Sequence, residues 1–129
     1  MSIQQTLKYL GFVNNVDFMA VDSGDGSASI VWLSQQPQPT PAEIAAAELP
    51  AAKAAAIAAN RAECSRRIYE RYPAGRQLSA LAGLYDSANV ATMTDWIAAN
   101  ISAENTAADA IEAATTVQAV EAVSVSWPA

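Results

Sequence analysis

The hydrophobic positions of this chain change period twice. Ile3, Leu7 and Leu10 recur at helical spacing, and Ser2 with Gln5 forms a capping box in front of them. Gly11 stands where a helix takes a left-handed residue after its last turn, with Phe12 placed to fold back on that turn. The pattern then shifts to two β-like runs, Val16–Val21 and Ala28–Leu33, dominated by Val, Ile, Phe and Trp. Between them Asp22-Ser23-Gly24-Asp25-Gly26-Ser27 carries the glycines that a hairpin loop uses for positive φ angles. The prediction is a short helix followed by a β-hairpin, with Phe18, Ile30 and Trp32 covering the helix. Two strands are marginal alone, so a third is expected from elsewhere in the chain or from another chain.

Gln35-Gln36-Pro37-Gln38-Pro39-Thr40-Pro41 closes this part. Alternating prolines favour extended polyproline II geometry, which reads as a stiff spacer. Thr40, Pro41 and Glu43 then supply an N-cap, a first-turn proline and a capping-box carboxylate. The helix they start is alanine-rich and runs to about Tyr72. Pro50 is expected to kink or split it, because proline removes an amide and clashes with the preceding turn. Pro73-Ala74-Gly75 ends it. A short helix over Arg76–Asp86 carries Leu78, Leu81, Leu84 and Tyr85. After a break at Ser87-Ala88-Asn89, Val90, Met93, Trp96, Ile97 and Ile101 mark a longer helix reaching about Ala114, and Thr115-Thr116-Val117-Gln118 starts a last turn. These helices are expected to form an antiparallel bundle with Trp96 in its core. The thin alanine stripe before residue 60 suits close packing on a partner helix, so a homo-oligomeric bundle is one expectation.

Val123-Ser124-Val125-Ser126-Trp127 alternates strictly, which is the period of a strand, and Pro128 stops it. It supplies either the missing third strand of the hairpin or an edge for pairing with another protein. The expected fold class is therefore α+β, mainly α. Residues 1–34 form a helix-plus-hairpin module, 35–41 a proline-rich spacer, and 42–129 a helical region ending in a short strand.

Composition narrows the function. Thirty of the 129 residues are alanine, so the 52% hydrophobic content describes a thinner core than it suggests. The net charge of −6 argues against general affinity for nucleic acid or anionic membrane. The charge is uneven, however: Arg61, Arg66, Arg67, Arg71 and Arg76 face only Glu63 and Glu70 within their window, a local +3 that leaves −9 elsewhere. A solvated helix face with pairs at i,i+4 spacing is the simplest reading, a docking face for an acidic protein the functional one. A nucleic-acid patch lacks interleaved aromatics or glycines and is kept as a distant alternative.

The single cysteine, Cys64, allows no internal disulfide and reads as a small packed hydrophobe. The absence of histidine excludes a Ser-His-Asp triad, a Cys-His pair and histidine metal ligation. No Walker loop, GxGxxG or CxxC is present, and Asp22–Ser27 is too short for an EF-hand loop. No enzyme activity, cofactor or metal is expected. No apolar run approaches the about 18 residues that span a bilayer, and no export signal is readable, so a soluble chain is expected.

The order of parts carries a resemblance. An opening L-G-F-V-N-N-V-D-F-M-A-V-D-S-G-D-G leads to I-V-W-L and then Q-P-Q-P-T-P-A-E-I. I-Y-E-R-Y-P-A-G-R-Q and a tryptophan-bearing helix follow, and A-A-T-T-V-Q-A-V-E-A-V-S-V-S-W-P closes the chain. Over most of its length the chain resembles small bacteriophage tail proteins, the XkdW-like family and related tail-fibre assembly proteins. The T-P-x-E-I start and V-x-W-P finish are the most specific pieces. The resemblance implies a non-enzymatic accessory protein that binds the tail fibre, as an assembly chaperone in the host cytoplasm, as an adaptor between fibre and baseplate, or as a subunit retained in the virion tail. It transfers no catalytic residue. The residues expected to carry partner binding are Val123, Val125 and Trp127 of the final strand, Trp32, and the arginines Arg66, Arg67 and Arg71.

Overall fold

The computed structural model describes residues 2–129, in the order α1 (Ile3–Tyr9), β1 (Phe18–Asp22), β2 (Ala28–Trp32), α2 (Pro41–Arg71), α3 (Ala74–Leu81), α4 (Ser87–Ala113) and α5 (Val117–Glu121). The class is α+β, mainly α. The chain divides into two compact units, one ending at Lys53 and one running from Ala54 to Ala129. The division falls inside α2, so the proline segment 35–41 lies within the first unit.

In the first unit, local chemistry sets α1. Ser2 Oγ accepts from the Gln5 amide at 3.2 Å and Gln5 Oε1 accepts from the Ser2 amide at 3.1 Å, the reciprocal capping box. Gly11, at φ +96°, ends the helix, with its amide donating to Lys8 and that of Phe12 to Leu7. The hairpin is antiparallel, pairing Phe18 with Trp32, Met19 with Val31 and Ala20 with Ile30. Its inner face buries Phe18 completely, and Thr6 and Leu7 of α1 are equally closed off from solvent. Ala47, Ala51 and Ala52 are the buried alanines of α2 in this unit. The chain itself supplies no third strand: among the described residues the sheet has two strands. The outer face, with Met19, Val21 and Val31, is left exposed.

Pro50 does not split α2, which is continuous through it. Its ring sits on the exposed side of the helix, where the lost amide costs one hydrogen bond without displacing a packed neighbour. Thr40 and Glu43 cap the start reciprocally, at 3.2 and 3.3 Å.

In the second unit, α2 and α4 run antiparallel. Arg71 meets Trp96, and ten residues earlier Arg61 pairs with Glu104 at 3.5 Å. The helix expected over Arg76–Asp86 begins earlier and stops at Leu81. Gly83, at φ +80°, takes the left-handed position after it, so the residues beyond leave the helix. Asp86 caps α4 by accepting from the Asn89 amide at 2.8 Å, and Thr116 caps α5 through the Ala119 amide at 3.0 Å.

Two expectations are corrected here. Trp96 is half-buried beside a cluster of Tyr72, Ala80 and Met93, not enclosed in a bundle core. Its indole N–H needs an acceptor and finds one at the surface, the Ala129 main-chain oxygen at 3.0 Å. Residues 123–127 join no strand ladder. The alternation nevertheless persists: Val123, Val125 and Trp127 are half-buried while Ser124 and Ser126 are exposed. The period was a signal of facing, and helices rather than strands supply the surface it faces.

Candidate functional site

The arginines of α2 are spaced to act together. Glu63, Arg67 and Arg71 recur every four residues and share one stripe of the helix. Glu63 anchors it. Arg66 reaches Glu63 through Nε and Nη2, both at 2.8 Å, and Arg67 Nε reaches the same carboxylate at 2.8 Å. Arg66 also pairs with Glu70. The hydrogen bonds from Arg66, opposed by desolvation and reinforced by Arg67, hold the Glu63 carboxyl down to about 2. Glu63 first, and Glu70 with it, push the Arg66 guanidinium upward.

This pairing orients Arg67 over the Trp127 ring, 5.0 Å from its centroid. One turn on, Arg71 lies over Trp96 at 4.6 Å and 5.9 Å from the Tyr72 ring. Arg76 covers Tyr72 at 5.3 Å, and Tyr72 meets Trp96 edge to face at 5.7 Å. Arg71 Nη1 donates to the Ala129 main-chain oxygen at 3.2 Å, the atom that Trp96 also binds. Each guanidinium–ring contact contributes about 0.5–1 kcal/mol when exposed and about 2 when desolvated. The result is a seam in which α2 clasps the end of the chain, beside an open cleft of about 310 Å³ lined by Arg66, Arg67, Glu70, Arg71 and Trp96.

A second concavity of about 430 Å³ lies beside the same tail. Its floor is a small-residue face of α4, including Ala99, Ala103 and Ala107, and Val123, Ser124 and Ser126 line its wall. The tail is extended and unpaired by any strand, so its backbone offers an edge for strand addition.

Of the residues expected to bind a partner, Arg66, Arg67, Arg71 and Trp127 come together in this seam, and Val123 and Val125 lie on the tail leading to it. Trp32 belongs to the first unit. Its Nε1 donates to the Gln36 oxygen at 2.8 Å and its ring meets Phe12 edge to face at 4.8 Å, so it serves local packing. Sequence reasoning missed Trp96 and Tyr72, because aromatics at helical spacing read first as core. It also missed Glu63 as the anchor, although its spacing to Arg67 carried the signal.

The chain has no match among protein-family models, curated proteins or solved structures. Its chemistry is therefore read from these residues. The seam combines fixed cations with aromatic faces and an extended edge, which suits recognition of a polypeptide. Cys64, next to Glu63, is buried, and desolvation followed by the nearby Glu104 raises its thiol pKa, which opposes nucleophilic use. Among the described residues no group of three or more His, Cys, Asp or Glu side chains is placed to hold a metal ion, and no helix is long and apolar enough to cross a membrane.

Proposed function

We propose that this chain is a non-enzymatic accessory protein of a bacteriophage tail that binds the tail fibre, as an assembly chaperone or as an adaptor between fibre and baseplate. The observation that carries the reading is the extended tail 123–127, half-covered on one face and unpaired at its edge beside an open groove. Such an edge accepts an extended segment of another chain by main-chain hydrogen bonding, and the alternate side-chain positions give it register. The order of motifs shared with small phage tail proteins supports the choice of partner. Fibre chains expose unpaired β-rich segments before they assemble, and covering such an edge is how an accessory protein keeps them from aggregating.

The test is co-expression with the fibre protein encoded by the same phage. The fibre is expected to become soluble and to co-purify with this chain, with cross-links from Ser124 and Ser126. Fibre that stays insoluble with or without it, or a complex cross-linked elsewhere, overturns the reading. Mass spectrometry of finished particles then separates a chaperone that leaves from a stoichiometric tail subunit that stays.

A further inference from the structure

Two apolar surfaces of this chain are open and oppositely charged. The first is the outer face of the hairpin, where Met19 and Val31 are register partners and Val21 and Leu33 extend the patch. Asp17, Asp22 and Asp25 surround it, and no lysine or arginine occurs from Gly11 to Ala52. The second is a leucine ridge: Leu78 and Leu81 on α3 and Leu84 just beyond it are 65, 85 and 73% exposed. Arg76 lies on the same helix, and Arg71 converges with it on the Tyr72 ring. Arg76 makes no ion pair with a side-chain carboxylate among the described residues, and Arg71 donates to the Ala129 main-chain oxygen. Asp86, which caps α4 through the amide and side chain of Asn89, offsets one of the two positive charges and leaves this side net basic.

Leucines left this open are unusual for a surface that stays solvated, and a two-stranded sheet with a bare apolar face is marginal by itself. The two surfaces answer each other: each is apolar at its centre, one is rimmed by carboxylates and the other by guanidiniums. Every copy of the chain carries both. We infer that the hairpin face of one copy docks on the leucine ridge of a second copy. Because the two patches differ, the contact is head-to-tail, and each added copy exposes the same free hairpin and free ridge. Association therefore either closes as a ring, of which two copies in reciprocal contact are the smallest, or continues as an open row. The contact holds with or without a fibre, and neither surface includes the tail groove.

Sedimentation velocity of the purified chain tests it. At low salt the wild-type mass is expected to rise with concentration above that of the monomer, and to fall as salt screens the charged rims. Leu81→Glu sets a carboxylate against the acidic hairpin, and Val31→Lys sets an ammonium against the basic ridge. Each variant alone is expected to remain monomeric. Mixed in equal amounts they are expected to associate again, since the intact hairpin of L81E meets the intact ridge of V31K. Leu84→Glu and Met19→Lys form a second pair with the same expectation, and helical circular dichroism confirms that each variant is folded. A wild type that stays monomeric at every concentration, a variant that still associates alone, or folded variants that remain monomeric when mixed, overturns the inference.

Discussion

The Arg67 guanidinium stands over the Trp127 ring at 5.0 Å, held there by its own hydrogen bond to Glu63. A helix side chain thereby fixes the end of the chain without a backbone ladder. Trp127→Ala removes a half-buried ring and its cation contact, and is expected to cost about 1–3 kcal/mol. Arg67→Lys keeps the charge but loses the planar stack and the fixed fork, and is expected to cost less than half of that. Thermal melts give both values. Limited proteolysis within residues 123–127 should speed up in W127A before α4 is cut; an unchanged rate of tail cleavage contradicts the clasp.

Glu63 makes the second unit acid-sensitive in a defined window. Its folded pKa is about 2 against an ordinary value of 4.5, so its stabilisation is present above the ordinary value and is lost as pH falls through the folded one. The melting temperature of the wild type should therefore drop more steeply between pH 4.5 and 2 than that of Glu63→Gln. Parallel curves for the two proteins would remove Glu63 from the account.

Much of this arrangement was legible in the chain because it is local. Capping residues, glycines at helix ends and the hairpin loop act over three or four positions, so Ser2, Gly11, Thr40 and the Asp22–Ser27 turn are read directly. The facing of Val123, Val125 and Trp127 was legible for the same reason, since alternation is local. Their partner was not: whether a helix or a strand lies opposite depends on tertiary placement that period two does not encode. The α3 boundary was lost between two local signals, where the leucines at 78, 81 and 84 continued the helical period past the residue that Gly83 turns.

Phe18 is the one large side chain of the hairpin with no exposed surface. Removing its ring leaves a cavity under a sheet of only two strands, so Phe18→Ala is expected to cost about 3–5 kcal/mol. Met19→Ala, on the opposite face of the same strand, should cost under about 1 kcal/mol in the monomer. Near-ultraviolet circular dichroism of Trp32, whose ring meets Phe12 edge to face, reads the loss.

Cys64 should be silent in the folded protein. Burial first, and Glu104 second, raise its pKa, so the neutral thiol is favoured and the reactive thiolate is scarce at neutral pH. Alkylation by iodoacetamide is expected to run about a hundredfold or more slower in the native protein than in denaturant, because it waits for opening of the α2 face. Equal rates in the two conditions would show Cys64 to be accessible. The protection should weaken as pH rises from the ordinary thiol value of 9.0 towards the raised one, where the buried thiol begins to ionise.

Pro50 interrupts the hydrogen-bond ladder of a helix that stays continuous, and its ring is exposed. An alanine there restores the amide that Ala46 lacks as a donor and relieves the clash with the preceding turn, at the expense of a freer unfolded chain. Helix-interior proline costs about 3 kcal/mol relative to alanine, and the unfolded-state term returns about 0.4–1 kcal/mol of that. Pro50→Ala is therefore expected to stabilise the protein by about 2–2.6 kcal/mol and to raise its melting temperature by several degrees. A fall in melting temperature would mean that the proline sets a bend the surrounding residues require. The buried alanines Ala47, about one turn before it, and Ala51, the next residue, would then lose their cover together with it.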